Sequence, residues 1–87
     1  MRQIYYSSKF KKSLKRIPVF VKKAFLAREG LFLENPFNPL LDTHKLHGKY
    51  KNFLAFTVVG QYRVMFKFMK NGHDVGFINI GTHEIYK

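Results

Sequence analysis

The carboxyl-terminal stretch "FLAFTVVGQYRVMFKFMKNGHDVGFINI", residues 53–80, decides the fold. Its three runs of β-branched and aromatic residues, "FLAFTVV", "YRVMFKF" and "DVGFINI", are separated by two short polar breaks. Gly60-Gln61 suits a two-residue turn with glycine first, and Asn71-Gly72 suits a type I′ turn. The stretch therefore predicts an antiparallel meander of three strands.

The two turns also predict a register, because each fixes which residues lie opposite one another. The expected pairs are Phe68 with Val75, Phe66 with Phe77, Val64 with Asn79, Val64 with Thr57, and Phe66 with Ala55. Side chains alternate between faces along a strand. The face expected to pack against helices carries Phe53, Ala55, Val64, Phe66, Phe68, Val75 and Phe77. The opposite face carries Leu54, Phe56, Val58, Arg63, Met65, Lys67, Ile78 and Ile80, and we expect it to meet a partner.

The first half of the chain predicts a short strand at residues 2–7 and then two helices. Ser7 or Ser8 is a candidate N-cap, and Phe10, Leu14 and Ile17 recur on one helical face. Pro18 suits the first turn of a second helix, in which Gly30 weakens or ends the regular part. Residues 35–52 form a long connection in which two Asn-Pro steps exclude regular helix. We expect one α+β domain, residues 1–87, with a two-helix hairpin on a four-stranded, largely antiparallel sheet.

Charge is the first indication of function. Sixteen Lys and Arg residues against five Asp and Glu give a formal charge of +11, which predicts a polyanionic partner such as nucleic acid, an acidic protein or an anionic membrane. An aromatic content of 17% excludes a disordered basic tail, and the lack of cysteine excludes disulfides and thiolate metal sites. No apolar run approaches the roughly 18 residues of a membrane span, and residues 1–10 lack a signal-peptide core. We expect a soluble cytoplasmic protein.

Proton-transferring and cationic residues cluster in the same half of the sequence. The candidates are His44, Lys45, Arg63, His83 and Tyr86, with His47, Lys49 and Glu84 beside them. Histidine exchanges protons near neutral pH and arginine holds a phosphate through a bidentate fork, so the set suits metal-free RNA cleavage. The alternative is that His83 is a satisfied core residue and Arg63 a surface one. No phosphate-cradling glycine loop is present, and we expect no metal or other cofactor.

Three motifs behind the two basic helices carry a resemblance to a known family. "HKLHG" at 44–48, "YRVMF" at 62–66 and "GTHEIY" at 81–86 closely resemble the RelE/ParE superfamily of bacterial type II toxin–antitoxin systems, and the tail looks most like the RelE/YafQ branch. The resemblance implies a RelE-like fold over the whole chain. It also implies a toxin that cleaves mRNA on the ribosome, inhibits translation and arrests growth, and an acidic antitoxin that blocks it in a hetero-oligomer. No membrane partner is implied.

The resemblance also implies roles for individual residues. Arg63 matches the phosphate-binding arginine, His83 the catalytic histidine of YafQ-like toxins, Tyr86 the terminal tyrosine, and His44 the histidine of an H-x-L-x-G motif. The expected catalytic set is thus His44, Arg63, His83 and Tyr86, and attack by the 2′-hydroxyl would give a 2′,3′-cyclic phosphate or a 3′-phosphate. The expected RNA- and ribosome-binding set is Lys45, His47, Lys49, Lys51 and Lys67.

The chain also departs from the family pattern. Leu54 and Phe56 replace lysines of RelE, and Thr57 and Gln61 replace a histidine and an aspartate of YafQ-like toxins. Two alternatives therefore stay open: a ParE-type inhibitor of DNA gyrase without catalysis, or a silent member that binds only its antitoxin. In addition, strict alternation places Arg63 beside Ile80, so His83 reaches its face only through a bulge or turn at Gly81-Thr82.

Overall fold

A five-stranded sheet, covered on one face by two helices, forms the centre of the computed structural model, which describes residues 2–86. The elements are β1 (Ile4–Tyr6), α1 (Ser8–Arg16), α2 (Val19–Glu34), β2 (His44–Lys45), β3 (Leu54–Val59), β4 (Tyr62–Phe68) and β5 (Val75–Gly81). Short 3₁₀ helices span Pro39–Leu41, Gly48–Tyr50 and His83–Tyr86. Within residues 2–86, no helix has the length and apolar content needed to cross a bilayer.

The strand order is β1-β5-β4-β3-β2, with β1 parallel to β5 and every other pair antiparallel. The predicted α+β class, with a helical pair on a largely antiparallel sheet, is confirmed. The predicted number of four strands is wrong, because His44 pairs with Ala55 and Lys45 with Leu54 to make a fifth, edge strand. This strand lies inside the segment that was expected to be a connection, and two residues are too few to show a period-2 pattern.

The register agrees with the prediction at the start of each hairpin and then shifts by one residue. Phe68 pairs with Val75 and Phe66 with Phe77 as expected, but Val64 pairs with Ile80 instead of Asn79. In the other hairpin Phe66 pairs with Leu54 instead of Ala55, and Val64 with Phe56 instead of Thr57. The cause is one unpaired residue in each outer strand: Ile78 forms a β-bulge in β5 and Val58 forms one in β3.

These bulges change which side chains face the helices. The helix-side core contains Ile4, Phe10, Val21, Phe25, Phe32, Leu41, Leu54, Phe56, Val58, Val64, Phe66, Val75, Phe77 and Ile80. The assignments of Val64, Phe66, Val75 and Phe77 are confirmed. Those of Leu54, Phe56, Val58 and Ile80 to the opposite face are wrong, because the bulges invert their parity.

The other side of the sheet, called the outer face here, carries a second apolar cluster. Leu46, Ala55 and Met65 are buried in this outer cluster, and Tyr50, Phe53, Ile78, Ile85 and Tyr86 pack against it partly buried. Phe53 and Ala55, expected under the helices, therefore lie on the outer face. This face is not simply left open for a partner, because side chains of the two flanking segments cover part of it.

A side chain from the helix layer donates a hydrogen bond to the carbonyl of each bulge residue. The Ser7 hydroxyl donates to the Ile78 carbonyl at 2.7 Å and accepts from the Phe10 amide at 2.9 Å, so Ser7 is also the N-cap of α1. The Arg28 Nε donates to the Val58 carbonyl at 3.2 Å. Both contacts are partly buried, where a carbonyl without a partner is costly, so each bulge is supported by a residue of the helix layer.

The two hairpin turns differ in how well they were predicted. Gly60 has a φ of +55° between the paired residues Val59 and Tyr62, as expected for a two-residue turn with glycine first. The second loop is longer than the expected type I′ turn, because Met69 and Asp74 close it through an N–H···O bond of 2.8 Å. Within residues 70–73 only Gly72 has a positive φ, and the register at Phe68 is unchanged. The Gln3 amide and the Asn71 side chain hold the pKa of Asp74 below its usual range.

Helix α2 continues through Gly30 to Glu34, so the alternative that this glycine ends the regular part is wrong, and the alternative that it weakens the helix stays a prediction. A Cβ added at Gly30 would meet no atom within 4 Å. We predict that Gly30→Ala stabilises the protein by about 0.5–1 kcal/mol, because alanine loses less backbone entropy on folding. Urea unfolding followed by circular dichroism measures this change, and a lower midpoint in the variant would contradict it.

Ser7→Ala should remove both hydrogen bonds of the Ser7 hydroxyl. We predict a loss of about 1–3 kcal/mol of unfolding free energy, because the N-cap of α1 is lost and the Ile78 carbonyl is left without that donor. The matched control is Ser8→Ala, an exposed position on the first turn of the same helix, where a change within about 0.5 kcal/mol is expected. Equal effects of the two substitutions would show that the bulge does not depend on Ser7.

Candidate active site

Four of the predicted functional residues meet at the β2 edge of the sheet. His44, Lys45, Leu46, His47 and Tyr86 line a cavity of about 310 Å³. Both ends of the proposed set, the "HKLHG" motif and the terminal tyrosine, therefore contribute to one concave surface. Apart from Leu46, these side chains carry groups that can transfer protons, hold a phosphate or stack on a base.

The "HKLHG" motif is held in place by its one apolar residue. Leu46 is buried in the outer cluster, and its amide donates to the Phe53 carbonyl at 3.0 Å, extending the β2–β3 pairing. His44, Lys45 and His47 around it are exposed. Leu46 thus fixes the backbone while its neighbours stay free to contact a ligand.

The carboxyl-terminal motif reaches the same place by turning over the outer face. Because of the bulge at Ile78, Arg63 pairs with Gly81 and not with Ile80. The chain then leaves the sheet at Thr82, whose carbonyl accepts from the Ile85 amide at 3.0 Å in the 3₁₀ helix His83–Tyr86. Ile85 and Tyr86 pack against the outer cluster, and Tyr86 completes the cavity.

Gly81 is required at this turn for space and not for an unusual backbone angle. It is not among the positive-φ glycines of residues 2–86. An added Cβ would lie 2.7 Å from the Cγ2 of Ile85, closer than side-chain carbons approach one another. The sequence placed the change of parity at Gly81-Thr82. The bulge that makes this change lies earlier, at Ile78, and the chain then turns after Gly81 in close contact with Ile85.

The structure does not bring every candidate into the cavity. The Nη1 of Arg63 donates to the carbonyls of Gly60 at 2.8 Å and Tyr62 at 3.1 Å, so its guanidinium is directed toward the β3–β4 turn. His83 is exposed, and its Nε2 lies 3.8 Å from a carboxylate oxygen of Glu84. Neither lines the cavity.

The remaining basic candidates are spread around this region. Lys49 lies over the ring of Tyr50, with its Nζ 5.2 Å from the ring centroid. Lys51 is exposed and is the C-cap of the 3₁₀ helix Gly48–Tyr50. Lys67 lines a separate groove on the outer face, beside Tyr5 and Met69. Within the described part of the chain, no group of three His, Cys, Asp or Glu residues could hold a metal ion.

Sequence reasoning missed Asp42. Its carbonyl oxygen lies 2.9 Å from Nδ1 of His44, and it is the non-glycine residue of the described region that has a positive φ, at 49°. An aspartate two positions before a histidine gives little signal by itself. The one relevant property of its residue type is that aspartate tolerates the left-handed conformation better than most residues.

The arrangement of elements defines the RelE-like toxin fold. No protein-family model matches the sequence, and no curated protein sequence matches it. Solved structures do match: YafQ from Escherichia coli BL21(DE3), with a TM-score of 0.74 and 20% identity over 100% of both chains, is one. A YoeB/ParE toxin from Agrobacterium tumefaciens has a TM-score of 0.77 and 12% identity over 93% of this chain and 98% of that one. An archaeal RelE–RelB complex from Pyrococcus horikoshii OT3 has a TM-score of 0.73 and 17% identity over 93% of each chain. At these identities the likeness is one of fold.

Gly81→Ala should displace the 3₁₀ helix His83–Tyr86 from the outer face. We predict changed chemical shifts for Tyr86 and His44 and faster exchange of the Ile85 amide, because the new methyl collides with Ile85. Gly30→Ala, which adds the same methyl in open space, is the matched control. Adding Ile85→Leu to Gly81→Ala removes the Cγ2 methyl and should restore the wild-type shifts. Unchanged spectra in Gly81→Ala itself would contradict the assigned contact.

Proposed function

We propose that this protein is the toxin of a bacterial toxin–antitoxin module and that it cleaves mRNA on the ribosome without a metal ion. The observation that carries the proposal is the cavity at the β2 edge, where His44, Lys45, His47 and Tyr86 are brought together from distant parts of the sequence. The RelE-like fold supports it, because YafQ and RelE structures share the same arrangement of elements.

The chemistry needs a base for the 2′-hydroxyl, cations for the phosphate and an acid for the departing 5′-oxygen. In the proposed scheme, His44 exchanges a proton, and Lys45 and His47 contact phosphates. Tyr86 stacks on a base or orients the nucleotide. The products would be a 2′,3′-cyclic phosphate, or a 3′-phosphate after its hydrolysis, and a free 5′-hydroxyl.

Arg63 and His83 have parts in this scheme beside the cavity. The two carbonyl contacts of Arg63 both use Nη1, so the edge formed by Nε and Nη2 is left for a bidentate phosphate contact. Arg63 would then stabilise the charge of the phosphorane-like transition state. His83, exposed at the start of the terminal 3₁₀ helix, would supply the proton to the 5′-oxygen.

Charge and exposed apolar side chains support an acidic protein partner. The net charge is +11, and α1 and α2 together carry eight lysines and arginines, at positions 9, 11, 12, 15, 16, 22, 23 and 28. Val19, Phe20 and Leu26 on α2 are exposed beside them. An amphipathic acidic antitoxin would neutralise these charges and cover these side chains, as RelB accompanies RelE in the archaeal complex.

Expression of the chain alone from a tightly repressed promoter tests the function. We expect growth arrest and new 5′ ends within translated mRNAs. We expect cleavage to fall about 10²- to 10⁴-fold in His44→Ala, Arg63→Ala and His83→Ala, because each removes a proton-transfer or charge-stabilising group. Tyr86→Ala should also lower cleavage, because it removes the ring that stacks on or orients the nucleotide. The matched control is His73→Ala, because His73 is exposed in the β4–β5 loop at the opposite end of β4 from Arg63 and should leave cleavage unchanged.

Other outcomes would separate the competing functions. Arrest with intact mRNA and inhibited supercoiling by DNA gyrase would indicate a ParE-type inhibitor. An absence of arrest, with tight binding to an acidic antitoxin, would indicate a silent toxin. Wild-type cleavage by both His83→Ala and Arg63→Ala would overturn the assignment of those two residues.

A further inference from the structure

We propose that Asp42 is a positioning residue, whose backbone carbonyl fixes His44 in the tautomer that leaves Nε2 as a proton acceptor and so makes His44 the general base. The base role rests on the proposed function. The fixed tautomer does not, because it follows from the geometry of residues 42–44.

The tautomer follows from the identity of the two atoms in contact. The Nδ1 of His44 lies 2.9 Å from the carbonyl oxygen of Asp42, which is within hydrogen-bond distance. A carbonyl oxygen only accepts, so Nδ1 must carry the hydrogen. A neutral imidazole has a single N–H, and its Nε2 therefore keeps a free lone pair. That nitrogen is the one able to take the proton of a 2′-hydroxyl.

The carbonyl is presented by an uncommon backbone conformation. Asp42 has φ 49° and ψ 44°, in the left-handed region, where it caps the 3₁₀ helix Pro39–Leu41 through an N–H···O bond of 3.2 Å to Pro39. Most residues avoid this region because Cβ comes too close to the following carbonyl oxygen, while Gly, Asn and Asp adopt it most readily. A residue forced into an extended conformation at 42 would rotate this peptide group and withdraw the carbonyl from His44.

The segment before Asp42 is held rigidly enough to serve as an orienting device. The side chains of Asn35 and Asn38 accept from the amides of Phe37 at 3.0 Å and Leu40 at 2.9 Å, making two successive Asx turns. Leu41 is fully buried in the helix-side core. The two Asn-Pro steps, which from sequence only excluded helix, therefore build a fixed approach to His44.

Arg28 connects this segment to the sheet. Its Nη1 donates to the Leu40 carbonyl at 3.0 Å, and its Nε donates to the Val58 carbonyl in the bulge of β3. The position of Asp42 is thus set by contacts to both α2 and β3, and β3 is also the strand that pairs with His44. The His44 ring and the Asp42 carbonyl that orients it are therefore both positioned by contacts with β3.

Because the backbone carbonyl does the orienting, substitutions at 42 should be ranked by left-handed propensity and not by charge. Asp42→Asn removes the carboxylate and Asp42→Gly removes the side chain, yet both keep the conformation accessible. Asp42→Val carries a β-branched side chain that strongly disfavours it. If the carboxylate itself oriented His44, the ranking would differ, because both Asp42→Asn and Asp42→Gly would then lose the orientation.

Long-range ¹⁵N–¹H correlation spectra of the histidine rings measure the tautomer directly in the intact chain. About two pH units above the ordinary histidine pKa of about 6.5, we expect His44 to report a protonated Nδ1. His73, exposed in the β4–β5 loop, serves as the internal reference for an unconstrained ring and should report mainly a protonated Nε2. We expect Asn and Gly at position 42 to keep the His44 pattern and Val to shift it toward that of His73. A wild-type His44 that already matches His73, or an unchanged ring in Asp42→Val, would overturn the proposal.

Cleavage assays then test the base role separately. Asp42→Asn and Asp42→Gly should cleave within about threefold of wild type, whereas Asp42→Val should lose about as much activity as His44→Ala. The double variant Asp42→Val/His44→Ala should be no worse than His44→Ala, because both changes disable the same group. Additive losses would overturn positioning through His44. A chain that cleaves no mRNA would overturn the proposed function and the base role together, while the tautomer spectra would still decide whether Asp42 orients the ring.

Discussion

The hydrogen bond from the Ser7 hydroxyl to the Ile78 carbonyl is the contact on which the arrangement of the carboxyl-terminal half depends. It gives the carbonyl of the bulge residue in β5 a hydrogen-bond donor. With the extra residue in place, Ile80 enters the helix-side core and Gly81 lies opposite Arg63. A strand without the bulge would place Ile80 opposite Arg63, and every side chain beyond that point would face the other side of the sheet. With the bulge in place Tyr86 packs on the outer face, and the serine at the start of α1 supports that bulge through one hydrogen bond.

Arg28 plays the equivalent part for β3. It donates to the carbonyl of the bulge residue Val58 and to the carbonyl of Leu40, so one guanidinium connects the bulge of β3 to the loop that leads to His44. The two bulges are thus maintained from the helix layer, and both motifs of the candidate site are placed through them. The site lies on the opposite side of the sheet from the helices, yet its geometry is set by side chains that the helices provide.

Sequence patterns predicted the parts of the fold that are determined locally. The meander, the turn at Gly60 and the N-cap at Ser7 follow from propensities over a few residues. The bulges could not be predicted, because the partner that stabilises Ile78 is 71 residues away in sequence. Strand β2 was missed because two residues are too few to show the alternation of apolar and polar side chains that identifies a strand. In the site, the motifs containing His44 and Tyr86 were predicted to act together. Asp42 was missed because its part is played by a backbone atom that every residue has.

The central position of β5 has a consequence for the order in which the molecule is assembled. β5 pairs with both β1 and β4 and is the last strand in the sequence, while residues 4–6 find their partners only at residues 75–77. Contacts of such long sequence separation form late and slowly. While the chain emerges during synthesis, α1 and α2 have no completed sheet to cover and expose Phe10, Phe25 and Phe32 to any binder present. A binder that recognises these helices would therefore engage the nascent chain before the cavity at the β2 edge is complete.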